Sequence, residues 1–138
     1  MYIKAIVAGI MALGLVGATA ADAHHSFAMF DQTKKVTLKG TVTEFQWTNP
    51  HSFIELDAPG ADGKMAHFSL ELNSPNNLKR QGWARNSVKP GDVVSVTFNP
   101  LRNGKPGGLF NAVVLPDGKV LAEAAFAGGR PVNTPDSK

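Results

Sequence analysis

Hydrophobic and polar residues alternate along most of this chain with the two-residue period of β-strands. The first alternating stretch covers residues 36–48, and its apolar positions change phase by one residue between Val42 and Phe45. A shift of one residue indicates a β-bulge, and Gly40 just before it favours a sharp bend. We therefore predict one long, bent strand that pairs with different partners at its two ends.

Further alternating stretches predict four more strands, at residues 51–57, 65–72, 92–99 and 109–115, and a short apolar segment follows at 120–121. Between the third and fourth strands, Ser74 and Pro75 have the residue types of a helix N-cap and first helical position. Gly82 followed by Trp83 can end that helix with a left-handed glycine and an apolar contact. The sequence thus predicts one helix of about two turns.

The predicted order is β-β-β-α-β-β, which is typical of a mainly β, OB-like, five-stranded and partly closed antiparallel barrel. An open antiparallel sandwich of the same strands is the alternative. OB-like barrels bind ligands on the face of strands two and three. The candidate ligand-binding residues on that face are His51, Phe53, Glu55, His67 and Glu71. Trp47, at the end of the first strand, is a further candidate as a stacking platform, and closure of the core is its alternative role.

The amino-terminal region has the features of a signal peptide. Lys4 gives a basic start, residues 5–18 are small and apolar, and Ala21-Asp22-Ala23 satisfies the small-residue cleavage rule. The apolar run is shorter than the roughly 20 residues that a membrane-spanning helix needs. We predict cleavage after Ala23 and a periplasmic or secreted protein with no membrane span. Cleavage after Ala20 and an uncleaved anchor are the alternatives.

The mature chain is predicted to hold one domain, residues 24–123. It is followed by a disordered tail, residues 124–138, in which glycine and proline occur without an apolar period. The net charge of +3 is small and is not concentrated in one stripe, so the composition predicts no nucleic-acid partner. A modest basic region near the helix is either a solvated face or a contact for an anionic glycan, lipid headgroup or protein; it contains Lys79, Arg80, Arg85 and Lys89.

Several motifs in the mature chain resemble those of a family of small exported bacterial proteins of unknown function. They are His24-His25-Ser26-Phe27, Gly40-Thr41-Val42-Thr43 through Trp47-Thr48-Asn49-Pro50-His51, Ser74-Pro75-Asn76 through Arg80-Gln81-Gly82-Trp83, and Lys89-Pro90-Gly91-Asp92. The resemblance covers nearly the whole mature chain. It implies a periplasmic, β-rich fold but no established activity.

The chain contains no cysteine, so any metal must be held by histidine, methionine, carboxylate or backbone groups. Cleavage after Ala23 would give His24 a free amine beside its imidazole, an arrangement that resembles the histidine brace of exported copper proteins. Imidazole nitrogens suit copper(II), and a thioether suits copper(I). The candidate copper ligands are His24, His25, His51, His67 and Met29. The alternative is that these dispersed histidines are ordinary solvated residues.

A catalytic signature is missing from the sequence, which has no Gly-x-Ser-x-Gly elbow and no histidine pair at helical spacing. Glu55 and Glu71 could form an acid and base pair, although exposed carboxylates on strands are usually only solvated. The sequence favours a binding or accessory protein, with an unknown small ligand or envelope protein as partner, over an enzyme. A small periplasmic enzyme that uses His and Glu residues on strands two and three, and a structural partner of a larger envelope complex, remain the alternatives.

Overall fold

The computed structural model describes residues 27–123, which form six strands and one helix. They are β1 (Val36–Gln46), β2 (Phe53–Pro59), β3 (Met65–Glu71), α1 (Pro75–Arg80), β4 (Val93–Pro100), β5 (Gly107–Val114) and β6 (Val120–Ala122). Within these residues no helix is long and apolar enough to cross a membrane. The predicted signal peptide, its cleavage region with His24 and His25, and the predicted tail lie outside the described residues.

The first five strands form a closed barrel, which confirms the predicted OB-like fold. The sheet order is β3-β2-β1-β4-β5-β6, and a pairing of β3 with β5 joins its ends. This pairing runs from Ser69 opposite Gly107 to Glu71 opposite Leu109, and it is parallel, whereas the other strand pairs are antiparallel. The open sandwich is wrong because this pairing closes the sheet. Strand β6 extends the barrel wall beyond β5.

The long first strand is bent and bulged as predicted. Its first half pairs with β4 and its second half with β2, and the register with β2 shifts between Val42 and Glu44. The sharp bend brings the chain close to β2 at Gly40. A Cβ atom at this position would lie 2.6 Å from the carbonyl oxygen of Asp57 and 2.8 Å from the Cβ of Ala58. Only glycine fits here without movement of the neighbouring backbone.

The segment between β3 and β4 closes one end of the barrel. Ser74 caps α1, its Oγ accepting a hydrogen bond from the backbone N–H of Asn77, and Pro75 is the first helical residue. The helix ends as predicted, with Gly82 at a φ of 89° and the Trp83 N–H donating to the Leu78 carbonyl at 3.0 Å. Leu78 and Trp83 are both buried in the core, so the apolar side of this segment anchors it to the barrel.

The barrel interior is filled by alternate residues of the strands, which include Ile54, Leu56 and Leu70, all fully buried. Trp47 belongs to this core. It is 9% exposed, and its ring and the ring of Phe45 pack edge to face. The structure therefore gives Trp47 the core-closing role that the sequence offered as its alternative.

Candidate functional site

The outward residues of β2 and β3 form a polar row on the barrel wall. Inward positions on these strands are apolar, so alternation places the polar residues outside. The register sets three outward pairs directly opposite one another: Phe53 with Glu71, Glu55 with Ser69, and Asp57 with His67. Directly opposed residues in an antiparallel pair are close enough for side-chain contact.

Four of these side chains form a continuous hydrogen-bonded row. His67 bridges two carboxylates, with Nδ1 lying 2.8 Å from Oδ1 of Asp57 and Nε2 lying 2.9 Å from Oε2 of Glu55. Ser69 donates from Oγ to the other oxygen of Glu55 at 2.7 Å. Ionised carboxylates only accept hydrogen bonds, so this arrangement favours the imidazolium form of His67, in which both ring nitrogens donate.

The two carboxylates raise the pKa of His67 above its usual value of 6.5. The hydrogen bond to Asp57 is the largest cause, and the hydrogen bond to Glu55 acts in the same direction, while partial desolvation opposes both. The His67 side chain is 54% exposed, whereas that of Glu55 is 13% exposed. The row is therefore anchored at a shielded glutamate and open to solvent at the histidine.

A second imidazole and carboxylate pair lies further along the same face. Nδ1 of His51 contacts Oε1 of Glu71, and the His51 side chain is one-third exposed. The segment between β1 and β2 is stabilised by Thr48, which donates from Oγ1 to the carbonyl of His51 at 2.8 Å. His51 thus precedes β2 and extends its outward row by one position.

Strand β1 adds one more acid, because Glu44 lies opposite Glu55 in the register. We call the surface made by these ionisable side chains the acidic face; it consists of Glu44, Glu55, Asp57 and Glu71 with His51 and His67. Four carboxylates against two histidines make this surface attractive to cations and unfavourable for polyanions.

The structure brings five of the six predicted ligand-binding residues together on one face: His51, Phe53, Glu55, His67 and Glu71. The sixth, Trp47, is in the core. Among the candidate copper ligands, Met29 is half-exposed in the segment before β1, where its carbonyl accepts the N–H of Arg102 at 2.9 Å. Within residues 27–123, no group of three or more His, Cys, Asp or Glu residues has an arrangement suited to a metal ion.

Sequence reasoning did not include Asp57, Ser69 or Glu44 among the site residues. Alternation already placed Asp57 and Ser69 outward on the same strands, and that was the available signal. The contact of Asp57 with His67 depends on the register of the hairpin, which alternation alone does not fix.

Glu123 is another ionisable residue that the sequence did not single out. It follows β6 and is buried, with 6% of its surface exposed. Burial raises the pKa of Glu123 to about 7; the negative charge of Glu71 adds to the increase, and a hydrogen bond from Asn73 opposes it. Because of this buried acid, one end of the barrel is sensitive to pH near neutrality.

Residues 13–111 match the model of a protein family, DUF6152, described as a family of unknown function. No curated protein and no solved structure matches the chain. The match includes β1 to β4, α1 and every residue of the acidic face. It agrees with the resemblance to a family without an established activity. The chain belongs to DUF6152, a family of unknown function.

Proposed function

We propose that this protein is an exported binding module whose acidic face binds a cation. The hydrogen-bonded row of Asp57, His67, Glu55 and Ser69 is the observation that carries this proposal. It presents carboxylate and imidazole groups in a fixed arrangement on the strands that OB-like barrels use for ligands. The export component rests on the amino-terminal sequence, from Lys4 to the small-residue site at Ala23.

The protonation of His67 determines how such a ligand would bind. The two carboxylate contacts favour a ring protonated at both nitrogens, and a metal ion that coordinates either nitrogen of that form must displace one proton. An organic cation or a basic peptide would instead pair with the carboxylates and leave the ring protonated. Binding of a metal ion therefore strengthens with rising pH through the His67 pKa, and this pH dependence distinguishes the two ligand classes.

Copper(II) is the metal ion that imidazole and carboxylate donors favour among the first-row divalent ions. On the acidic face it would be held by two such groups, because no group of three or more in residues 27–123 is arranged for a metal ion. A second copper site is proposed at the mature amino terminus. The observation that favours it is the sequence Ala21-Asp22-Ala23-His24-His25, in which cleavage after Ala23 gives His24 an amine and an imidazole in chelating positions.

The test is calorimetric titration of copper(II) into protein that begins at His24, at two pH values on either side of the His67 pKa. A His51→Gln, His67→Gln double variant tests the acidic face, and one alanine placed before His24 tests the amino terminus. Asp117→Asn, in the turn between β5 and β6, is the control for substitution of an exposed polar side chain away from both sites. Binding at the acidic face is expected to weaken at least tenfold in the double variant only.

The outcomes separate the two sites. Loss of copper binding after the alanine insertion, with full binding in the histidine double variant, assigns copper to the terminus and contradicts a metal site on the acidic face. Absence of binding by copper(II), zinc(II), a polyamine and a lysine-rich peptide would overturn the cation-binding proposal. Intact mass of the exported protein tests the cleavage position.

An enzyme would use the same residues in a different way, with His67 as the acid and Glu55 as the carboxylate that holds it. The observation that favours this second candidate is the hydrogen bond between the half-exposed His67 ring and the shielded Glu55 carboxylate. It predicts turnover on a hydrolytic or redox substrate that is lost in His67→Ala without loss of folding. A structural partner of a larger envelope complex would instead copurify with its neighbours and retain them in the same variant.

A further inference from the structure

The segment between β3 and β4, residues 73–91, carries positive charge only. It contains four basic residues and neither aspartate nor glutamate, and all four basic side chains are exposed: Lys79, Arg80, Arg85 and Lys89. We call residues 73–91 the basic segment. None of its four cations forms a salt bridge with a carboxylate in the described part of the chain.

The acids that flank the basic segment are already engaged. Glu71, before it, contacts His51. Asp92, after it, accepts the backbone N–H of Lys89 at 2.9 Å through Oδ2. Four exposed positive charges therefore lie within one short segment, and neighbouring carboxylates do not pair with them.

Buried apolar residues hold the basic segment on the barrel. Leu78, Trp83 and Val88 are 0%, 3% and 1% exposed, and they alternate along the chain with the exposed basic residues. The indole N–H of Trp83 also donates to the carbonyl of Ala122 at 3.3 Å. These anchors fix the backbone that carries the cations, so little backbone order has to be created when they meet a partner.

We propose that the basic segment docks this protein on an anionic phospholipid surface. Charge complementarity selects an extended anionic partner, because four side chains spread over 11 residues can each meet a different headgroup. This partner also suits the export that the proposed function includes, since an exported protein meets membrane surfaces rather than nucleic acid. The acidic face is repelled by the same lipids and stays available for its own ligand.

Each basic residue near an anionic membrane surface strengthens binding by about fivefold. Four such residues give a weak and reversible attachment that falls steeply with salt, because the interaction is screened over about 10 Å at 0.1 M ionic strength. The structure thus predicts peripheral docking through the basic segment.

The experiment is sedimentation of residues 24–138 with vesicles of phosphatidylcholine and with vesicles of an equimolar mixture of phosphatidylcholine and phosphatidylglycerol. The test variant replaces the four cations of the basic segment by glutamine: Lys79→Gln, Arg80→Gln, Arg85→Gln and Lys89→Gln. A matched control removes four other exposed charges: Lys39→Gln, Lys64→Gln, Lys105→Gln and Lys119→Gln. Both variants have the same net charge, so a difference in their vesicle binding depends on where the removed charges lie.

Binding is expected only to the anionic vesicles, with a loss of at least tenfold in the test variant and less than threefold in the control. Equal losses in the two variants would overturn the proposal, as would equal binding to both kinds of vesicle or tighter binding to single-stranded DNA than to the vesicles. A charge-conserving variant, with lysine and arginine exchanged at the four positions, should still bind and guards against a folding defect.

Failure of vesicle docking is distinguishable from failure of the cation-binding proposal. A Glu55→Gln, Asp57→Asn variant is expected to bind anionic vesicles at least as well as the native chain while it loses the cation. Loss of vesicle binding in this variant would contradict docking through the basic segment.

Discussion

Asn73 donates its backbone N–H to Oε1 of Glu123 at 2.9 Å, and this hydrogen bond joins the end of β3 to the end of β6 across fifty positions of sequence. The other carboxyl oxygen, Oε2, is buried and has no hydrogen-bond partner within residues 27–123. Burial of an acid with one unpaired oxygen favours the protonated form, and the pKa of Glu123 is accordingly raised from 4.5 to about 7.

The free energy of unfolding is expected to depend on this carboxyl group. The folded state binds the Glu123 proton more tightly than the unfolded state, so stability decreases as pH rises from 4.5 to about 7 and changes little from this source outside that window. The full difference is about 3 kcal/mol. Urea unfolding at several pH values measures it.

Glu123→Gln should remove this part of the pH dependence and make the protein more stable than the native chain at pH 8. Glu44→Gln makes the same change at an exposed glutamate and should leave the pH dependence of stability unchanged. His67 adds a slope of the same sign, because its folded pKa is also raised and its stabilising proton is lost as pH rises through that value. The Glu123→Gln variant therefore keeps the His67 contribution, and an unchanged pH profile would contradict the role of Glu123.

The pKa of His67 can be measured directly. We expect nuclear magnetic resonance titration of the ring to give a value above 6.5, and Asp57→Asn to lower it because the largest stabilising hydrogen bond loses its charged acceptor. Glu55→Gln should act in the same direction. Asp62→Asn, in the turn between β2 and β3, provides the control. A His67 pKa that is unaffected by Asp57→Asn would show that the carboxylate does not hold the imidazolium.

The features that the sequence predicted well are those that local chemistry determines. The alternation that identified β1, the Ser74 cap and the Gly82 helix end each depend on a few neighbouring residues, and the structure has all three. Element ends were less accurate: β2 begins at Phe53 rather than His51, and β5 begins at Gly107 rather than Leu109. Strand ends depend on which partner strand is present, and local alternation does not contain that information.

The sequence predicted most residues of the candidate site but not which of them contact one another. Alternation placed His67 and Glu55 on one face, but the bridge to Asp57 required the hairpin register. The parallel pairing of β3 with β5 depends on closure of the whole barrel. Glu123 is the clearest omission: it comes directly after the short apolar segment at 120–121, and a glutamate in such a position is ordinarily exposed.

Gly40 should not tolerate even a methyl group. A Cβ atom there would lie 2.6 Å from a β2 carbonyl oxygen, so Gly40→Ala must separate β1 from β2 at the bend. We expect a loss of about 2 kcal/mol or more in the free energy of unfolding, which urea denaturation measures. Gly60→Ala is the matched control, because its nearest neighbour would be an ordinary 3.4 Å away, and it should change stability by about 0.5 kcal/mol or less. Equal effects at the two positions would contradict the close approach at Gly40.

Trp83 joins three parts of the molecule. Its ring packs against Phe45 and, edge to face, against Phe110, and its indole N–H donates to the carbonyl of Ala122. Trp83→Phe keeps most of the buried aromatic surface but removes this hydrogen bond and leaves the Ala122 carbonyl without it. The expected cost is about 1 to 3 kcal/mol, larger than that of removing an exposed hydrogen bond.

The same substitution should loosen β6 before it unfolds the barrel, because β6 has only three residues and is joined to the sheet through β5. Hydrogen exchange at the Glu123 amide, which donates to the carbonyl of Asn111 at 2.9 Å, reports this opening. Trp47→Phe makes the same chemical change at another buried position and should leave that amide protected while the barrel stays folded. Exchange at Glu123 that accelerates equally in both variants would mean that β6 opens only with the whole barrel, and the Trp83 hydrogen bond would then have no separate role in holding it.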